Sequence, residues 1–249
     1  KILWIALVWP EPDSSAAGCR TTQLIESLQS AGHRVEVCSP CRPNPHQDRI
    51  ETQGIPTASY KPNDSAFDSY ISELNPEIVF FDRFMAEEQF GWRVKACCPN
   101  AIRVLDTVDL HSLRRARQAT VEDNSSELLC QSNETSKLNL CSDDAIREIS
   151  SIYRSDLSLI ISSAEIELLQ NYYGVPTELI THCPLFYETP TTLSDFESRK
   201  NIIAIGNFNH EPNSDSYRVL HQGLWNRIRS KLRDHGHGQT ELHIYGAYP

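Results

Sequence analysis

Apolar runs rich in β-branched residues alternate along this chain with stretches whose apolar positions recur every three or four residues. The runs predict strands over 2–9, 34–38, 77–81, 102–106, 157–161, 178–181, 201–206 and 241–245. The helical spacing between them predicts helices near 18–30, 65–74, 84–96, 110–122, 143–154, 163–173 and 213–232. In the first helix Leu24, Ile25 and Leu28 share one face, with Gln23, Glu26, Ser27 and Gln29 opposite, and Gly32 stands where a helix C-cap is needed. Strand–helix alternation of this kind predicts an α/β fold, a mostly parallel sheet covered by helices on both faces.

Two stretches break the rhythm. Residues 123–142 are polar and uneven and read as a surface excursion. Residues 183–200 hold two prolines and several Ser and Thr with little periodicity, after which a strand–helix–strand unit restarts at Asn201. The expected division is a first domain over 1–182, a linker over 183–200 and a second unit over 201–249. Two strands and one helix make a poor independent core, so the second unit is expected to be the beginning of a domain whose remainder is absent.

Length and charge narrow the function. The 249 residues suffice for a substantial core. A net charge of -10 argues against a nucleic-acid partner, although Arg114, Arg115 and Arg117 form a local basic patch. No apolar run reaches the roughly 20 residues needed to span a bilayer. The hydrophobic first nine residues lack the basic flank of a signal peptide, which points to a cytoplasmic setting with the eight cysteines reduced. Cys38 and Cys41 have CxxC spacing. They follow a strand rather than open a helix, and only His46 is near, so a strand end with two unpaired thiols is the favoured reading over a redox pair or a zinc site.

In open parallel sheets, ligands bind beyond the carboxyl ends of the strands, and three places there carry chemistry. After the first strand, "PEPDSSAAGCR" puts Gly18 near a helix N-terminus that suits a phosphate or a sugar hydroxyl, with Arg20 as a cationic hand. A plain N-cap by Ser14 or Ser15 explains that loop equally well. After the strand at 102–106 come Asp106, Asp109 and His111, placed to bond a substrate hydroxyl or move a proton. Asp106 or Asp109 could instead cap the helix, with the three arginines on its solvated face. After the strand at 201–206 come Gly206, Asn207 and His210, with Asn213 to Ser216 as candidate caps of the next helix. The other histidines are scattered without metal-ligand spacing. The nucleophile and P-loop motifs GxSxG, GxxxxGK[ST] and HExxH do not occur, and neither does GxGxxG.

Four stretches taken together resemble the retaining, nucleotide-sugar-dependent glycosyltransferases of family 4. They are "PDSSAAGCRTTQLIESLQSAGHRVEVCS", "VLDTVDLHSLRRARQ", "REISSIYRSDLSLIISSAEIELLQNYYGVPTELI" and "IGNFNHEPNSDSYRVL". The resemblance implies the GT-B architecture: an acceptor-side Rossmann-like domain followed by an incomplete nucleotide-sugar-binding one. It implies transfer of a hexosyl unit from a nucleotide diphosphate sugar to a sugar or lipid-linked acceptor. It places Gly18 and Arg20 at the donor phosphate, His111 as the catalytic contact to the transferred sugar with Asp106 and Asp109 beside it, and Gly206, Asn207 and His210 at the donor site. No metal cofactor is implied, the donor being a co-substrate, and peripheral membrane contact is compatible with it. A bulky residue at Gly18 would then cost transfer and little stability. The chain departs from the family in lacking the "GR…KG" cations after the first strand of the second unit. It also ends before the family's late pair of glutamates, so as given it is expected to be inactive. The alternatives are a non-catalytic half-protein that binds an acceptor or partner, and a sugar-nucleotide epimerase of the same architecture.

Overall fold

The computed structural model describes residues 1–122, 138–187 and 195–247. Most of the expected excursion and the middle of the expected linker lie outside those residues. The chain divides into two compact units, Lys1–Pro10 with Thr21–Leu185, and Glu11–Arg20 with Phe186–Pro249.

The first unit is built on a seven-stranded sheet. Its strands are β1 (Ile2–Ile5), β2 (Val35–Ser39), β3 (Thr57–Ser59), β4 (Ile78–Asp82), β5 (Ile102–Asp106), β6 (Leu157–Ile160) and β7 (Ile180–His182). Every pairing is parallel and the order is β3-β2-β1-β4-β5-β6-β7. This is a Rossmann-like α/β fold, as the strand–helix alternation requires. The helices are α1 (Ala16–Ser30), whose residues from Thr21 on lie in this unit, α2 (Pro45–Thr52), α3 (Ala66–Leu74), α4 (Arg83–Cys97), α5 (His111–Glu122), α6 (Asp143–Arg154) and α7 (Ser163–Asn171). Gly32, at φ +86°, lets the chain turn left-handed after α1.

The strands point alternate residues to the two faces of the sheet. Leu3, Ile5, Val79, Phe81 and Leu105 join a core with Phe67, Phe90, Val94 and Ile152. Ile2, Trp4, Phe80 and Val104 join another with Ile25 and Ile50. Trp4 is fully buried and stacks on Phe80 with ring centroids 4.7 Å apart. Both faces being covered explains why these strands read as unbroken apolar runs.

One strand end and two whole elements of this unit depart from the sequence expectation. The first strand ends at Ile5 rather than residue 9, because the chain leaves the sheet at Ala6 to form the loop that leads to α1. Helix α2 and strand β3 were not expected. Ile50 is the only buried residue of α2, and β3 is three small or polar residues, so neither carries a period. The described cysteines are free thiols. Burial, with Glu36 adding, pushes the Cys38 thiol up to about 12, which suits a packing side chain and not a redox nucleophile.

The second unit holds a parallel pair, β8 (Ile202–Asn207) with β9 (Leu242–Ala247). Helix α8 (Glu211–Arg218) and helix α9 (Trp225–Asp234) flank a π-helical segment, Val219–Leu224. The single helix expected over 213–232 is therefore interrupted by one wide turn.

Candidate functional site

Strand order reverses direction between β1 and β4, the place where open α/β sheets bind ligands. Strands β4 and β5 end level there, Asp82 opposite Asp106, and both carboxylates are buried. Asp82 Oδ2 accepts from the Leu7 amide at 3.2 Å and so ties the end of β1 to that of β4. Arg83 grips the same carboxylate in a two-point contact, Nε–Oδ1 3.1 Å and Nη2–Oδ2 2.8 Å. Burial opposes the Arg83 cation, but Asp82 more than offsets it, with Asp109 and Asp106 adding.

The backbone at this mouth is unusual. Arg83 sits at φ +68° and Val108 at φ +62°. A β-branched residue in the left-handed region is held there against its own preference by its surroundings. The loop is pinned on one side by Thr107, whose Oγ1 donates to the Leu159 carbonyl of β6 at 3.0 Å.

His111 opens α5 and is almost wholly buried. The edge of its ring meets Phe84, centroids 5.6 Å apart. Burial, then the cations of Arg114, Arg83 and Arg115, lowers its pKa to about 3, and Asp144 only partly opposes this. The imidazole is therefore neutral at physiological pH, and the 3.6 Å from Nε2 to Asp109 Oδ1 is neither an ion pair nor a hydrogen bond. Asp109 pairs instead with Arg114 at 2.9 Å. A neutral imidazole of such low basicity is a poor proton acceptor near pH 7 and a good hydrogen-bond partner for a hydroxyl.

The expectation that Asp106 or Asp109 caps α5 is corrected here. The His111 and Ser112 amides donate to Glu148 of α6, at 2.6 and 2.9 Å, and the Leu110 amide donates to Glu165 of α7 at 3.1 Å. Burial raises the pKa of both glutamates, partly offset by these amides. Arg114 is half exposed, and Arg115 and Arg117 are exposed, as a solvated helix face requires.

Of the residues singled out from sequence, Asp106, Asp109 and His111 come together in the first unit. Gly18, Arg20, Gly206, Asn207 and His210 belong to the second. Ser15 accepts from the Gly18 amide at 3.0 Å, the N-cap that was one of the two readings of this loop. A Cβ on Gly18 would lie 2.4 Å from the backbone of Glu11. The glycine thus serves the close approach of its own loop, and the expected tolerance of a bulky residue there is corrected. Gly18→Ala should lower stability by about 1–3 kcal/mol, the usual cost of forcing atoms into filled space. A thermal melt unchanged from the parent would contradict this. Arg20 is fully buried.

Asn207 Nδ2 donates to the Ser14 carbonyl at 3.1 Å, while its Oδ1 accepts from the Asn209 amide at 3.0 Å. His210 is exposed at the N-cap of α8, with no side-chain capping bond. The caps expected from Asn213 to Ser216 are not made. Asn213 Nδ2 donates to the Asn207 carbonyl and Ser214 Oγ to that of Phe208. A cavity of about 50 Å³ in this unit is lined by Gly206, Phe208, Asn213 and Tyr217, far smaller than the roughly 300 Å³ at which ligand pockets begin.

Sequence reasoning passed over Asp82 and Arg83. The signal was present in "IVFFDR", a buried run ending in two charges, and it follows the same rule that found Asp106. Glu148 and Glu165 carried no local signal. Among the described residues no group of His, Cys, Asp or Glu could hold a metal ion, and no helix is long and apolar enough to cross a membrane.

No protein-family model and no curated protein sequence matches this chain. Solved structures do. The apo form of the lipopolysaccharide outer core galactosyltransferase WaaB matches with a TM-score of 0.53 at 14% identity, over 99% of this chain and 68% of that one. A sucrose-phosphate synthase from Thermosynechococcus elongatus matches with a TM-score of 0.51 at 13% identity, over 99% of this chain and 70% of that one. Both are glycosyltransferases of the GT-B fold, and at this identity the likeness is one of fold.

Proposed function

We propose that the chain belongs to a retaining, nucleotide-sugar-dependent glycosyltransferase of the family 4 kind, working in the cytoplasm. In this proposal a hexosyl unit passes from a nucleotide diphosphate sugar to a sugar or lipid-linked acceptor, the first unit lying on the acceptor side. The observation that carries it is His111, buried and neutral at the carboxyl ends of the central strands, on a fold shared with two sugar-transferring proteins. A neutral ring there can hold a sugar hydroxyl without adding a charge, and the partly exposed Asp109 beside it offers an acceptor oxygen for a further hydroxyl.

The departing diphosphate would need positive partial charge from helix N-termini and basic side chains. The start of α5 is not available for this, since two carboxylates already take its amides. His210, with Gly206 and Asn207, remains the proposed donor-side set, since Arg20 is fully buried and Gly18 is closed in by the backbone of Glu11.

The test, made on the natural full-length protein because the chain as given is expected to be inactive, is transfer from isotope-labelled UDP-, ADP- and GDP-hexoses to a panel of glycoside and lipid-linked acceptors, with the anomeric configuration of the product read by NMR. The expected product keeps the donor's configuration. His111→Ala should then lose about 100-fold in rate, the scale of removing one well-placed hydrogen bond from a transition state, at an unchanged KM for the donor. Acceptor binding without transfer from any donor would favour the non-catalytic half-protein. Donor isomerisation without an acceptor would favour the epimerase.

A further inference from the structure

The first turn of α5 is held in a way that its own neighbourhood did not require. An N-cap is ordinarily a Ser, Thr, Asp or Asn adjacent in sequence. Leu110 stands at that place and has no capping side chain, and the carboxylate of Asp109 before it is engaged by Arg114. The amides of 110, 111 and 112 are taken by two glutamates 36 to 55 residues further along the chain, on separate helices.

Both carboxyl groups are buried, and Glu165 Oε2 has no hydrogen-bond partner at all. Burying a carboxyl group with an unmatched oxygen is costly, so a local cap would have served α5 better had the helix been the only beneficiary. What the two glutamates clamp is the stretch immediately after the left-handed Val108, and His111 lies within it. Strand β6 holds the other end of the same stretch through Thr107. The loop is fixed from three elements at once, as a strained, site-forming backbone requires.

We propose that Glu148 and Glu165 are positioning residues for His111, setting the ring's place and depth at the strand mouth through its backbone. The functional weight of this rests on the proposed role of His111, but the geometric claim stands on its own and has its own readout.

The groups that act on the ring are Asp109, Arg114 and Arg115 from its own loop and helix, Phe84 and Arg83 from α4, and Asp144 from α6, while Glu148 of α6 meets the His111 backbone amide. Burial dominates the ring's low basicity, so a loop released from its clamps lets water in and basicity must rise. Loss of a carboxylate charge acts the other way and would lower it further. The two effects have opposite signs, which makes the test decisive.

The full chain would be labelled at the histidine ring nitrogens and titrated by NMR, with His111→Gln identifying the resonance. Circular dichroism would first establish that each variant is folded. In Glu148→Ala the His111 ring is expected to titrate near the ordinary value of about 6.5. Glu148→Gln, which keeps one amide oxygen for the two N–H groups, should fall between, and Glu165→Gln should give a smaller rise of the same sign. A His111 titration that stays put or falls in folded variants would overturn the proposal. If Glu148→Ala does not fold, the two Gln variants decide in the same way. Transfer assays on the same samples separate the two claims. A shifted ring in Glu148→Gln beside full activity in His111→Ala would sink the functional reading and leave the positioning intact.

Discussion

Arg154→Met is expected to be among the more damaging single substitutions in the first unit, at about 1–3 kcal/mol, the half-exposed Arg154 leaving a buried carboxylate unmatched. Glu87, on α4, is almost wholly buried, and Arg154 of α6 closes over it with Nε and Nη2 at 2.6 to 3.0 Å. Ser151 Oγ adds a contact to the same guanidinium at 2.9 Å. A methionine fills similar space but leaves the carboxylate without its charge partner among apolar neighbours. The pair itself need not be a large net contributor, since removing two charges from water offsets much of their attraction. The double variant Glu87→Gln, Arg154→Met should therefore lose clearly less than Arg154→Met alone. Urea melts of the parent, both single variants and the double variant test this. Additive losses would mean that the pair is not coupled as described.

Acid sensitivity carries the other large effect. His111 has a folded pKa of about 3 against an unfolded value near 6.5. Below 6.5 the unfolded chain takes up a proton that the folded ring refuses. Stability from this group is thus fully present above pH 6.5 and is lost as the pH falls towards 3. Each pH unit in that window costs about 1.4 kcal/mol, or about 2 kcal/mol by pH 5. Glu148 and Glu165 act in the opposite sense, because their raised values let the folded chain hold protons that the unfolded chain has released. Their contribution falls as the pH rises above the usual glutamate range. The comparison of parent with His111→Gln removes that background. The difference in urea midpoint between the two should shrink steadily from pH 7 to pH 5. A constant difference would mean that the ring titrates in the fold as it does in the unfolded chain.

Much of this architecture is legible from the order of residues. "ILWI", "VEVCS", "IVFFD" and "IRVLD" become β1, β2, β4 and β5, because the central positions of strands covered on both faces are mostly apolar. Leu24, Ile25 and Leu28 mark the inward stripe of α1 by their spacing alone. What escaped has a physical reason in each case. Strand β3 is Thr57–Ser59 and relies on pairing with β2 for its conformation. Helix α2 buries one residue. The role of Gly18 turned on the backbone of Glu11 filling the space before it, a distance that no spacing encodes.

The candidate site divides along the same line. By itself the sequence determined that Asp106, Asp109 and His111 follow a buried parallel strand, since apolar periodicity and the carboxyl-end rule are both local properties. Only the tertiary structure decided that Asp82 stands level with Asp106, that Arg83 is spent on Asp82, and that Glu148 and Glu165 reach back to the start of α5. Electrostatic and hydrogen-bond partners are chosen by distance in space after the helices have packed. Residues tens of positions apart then meet, and the packing that buries His111, with Arg114, Arg83 and Arg115 beside it, keeps its imidazole neutral.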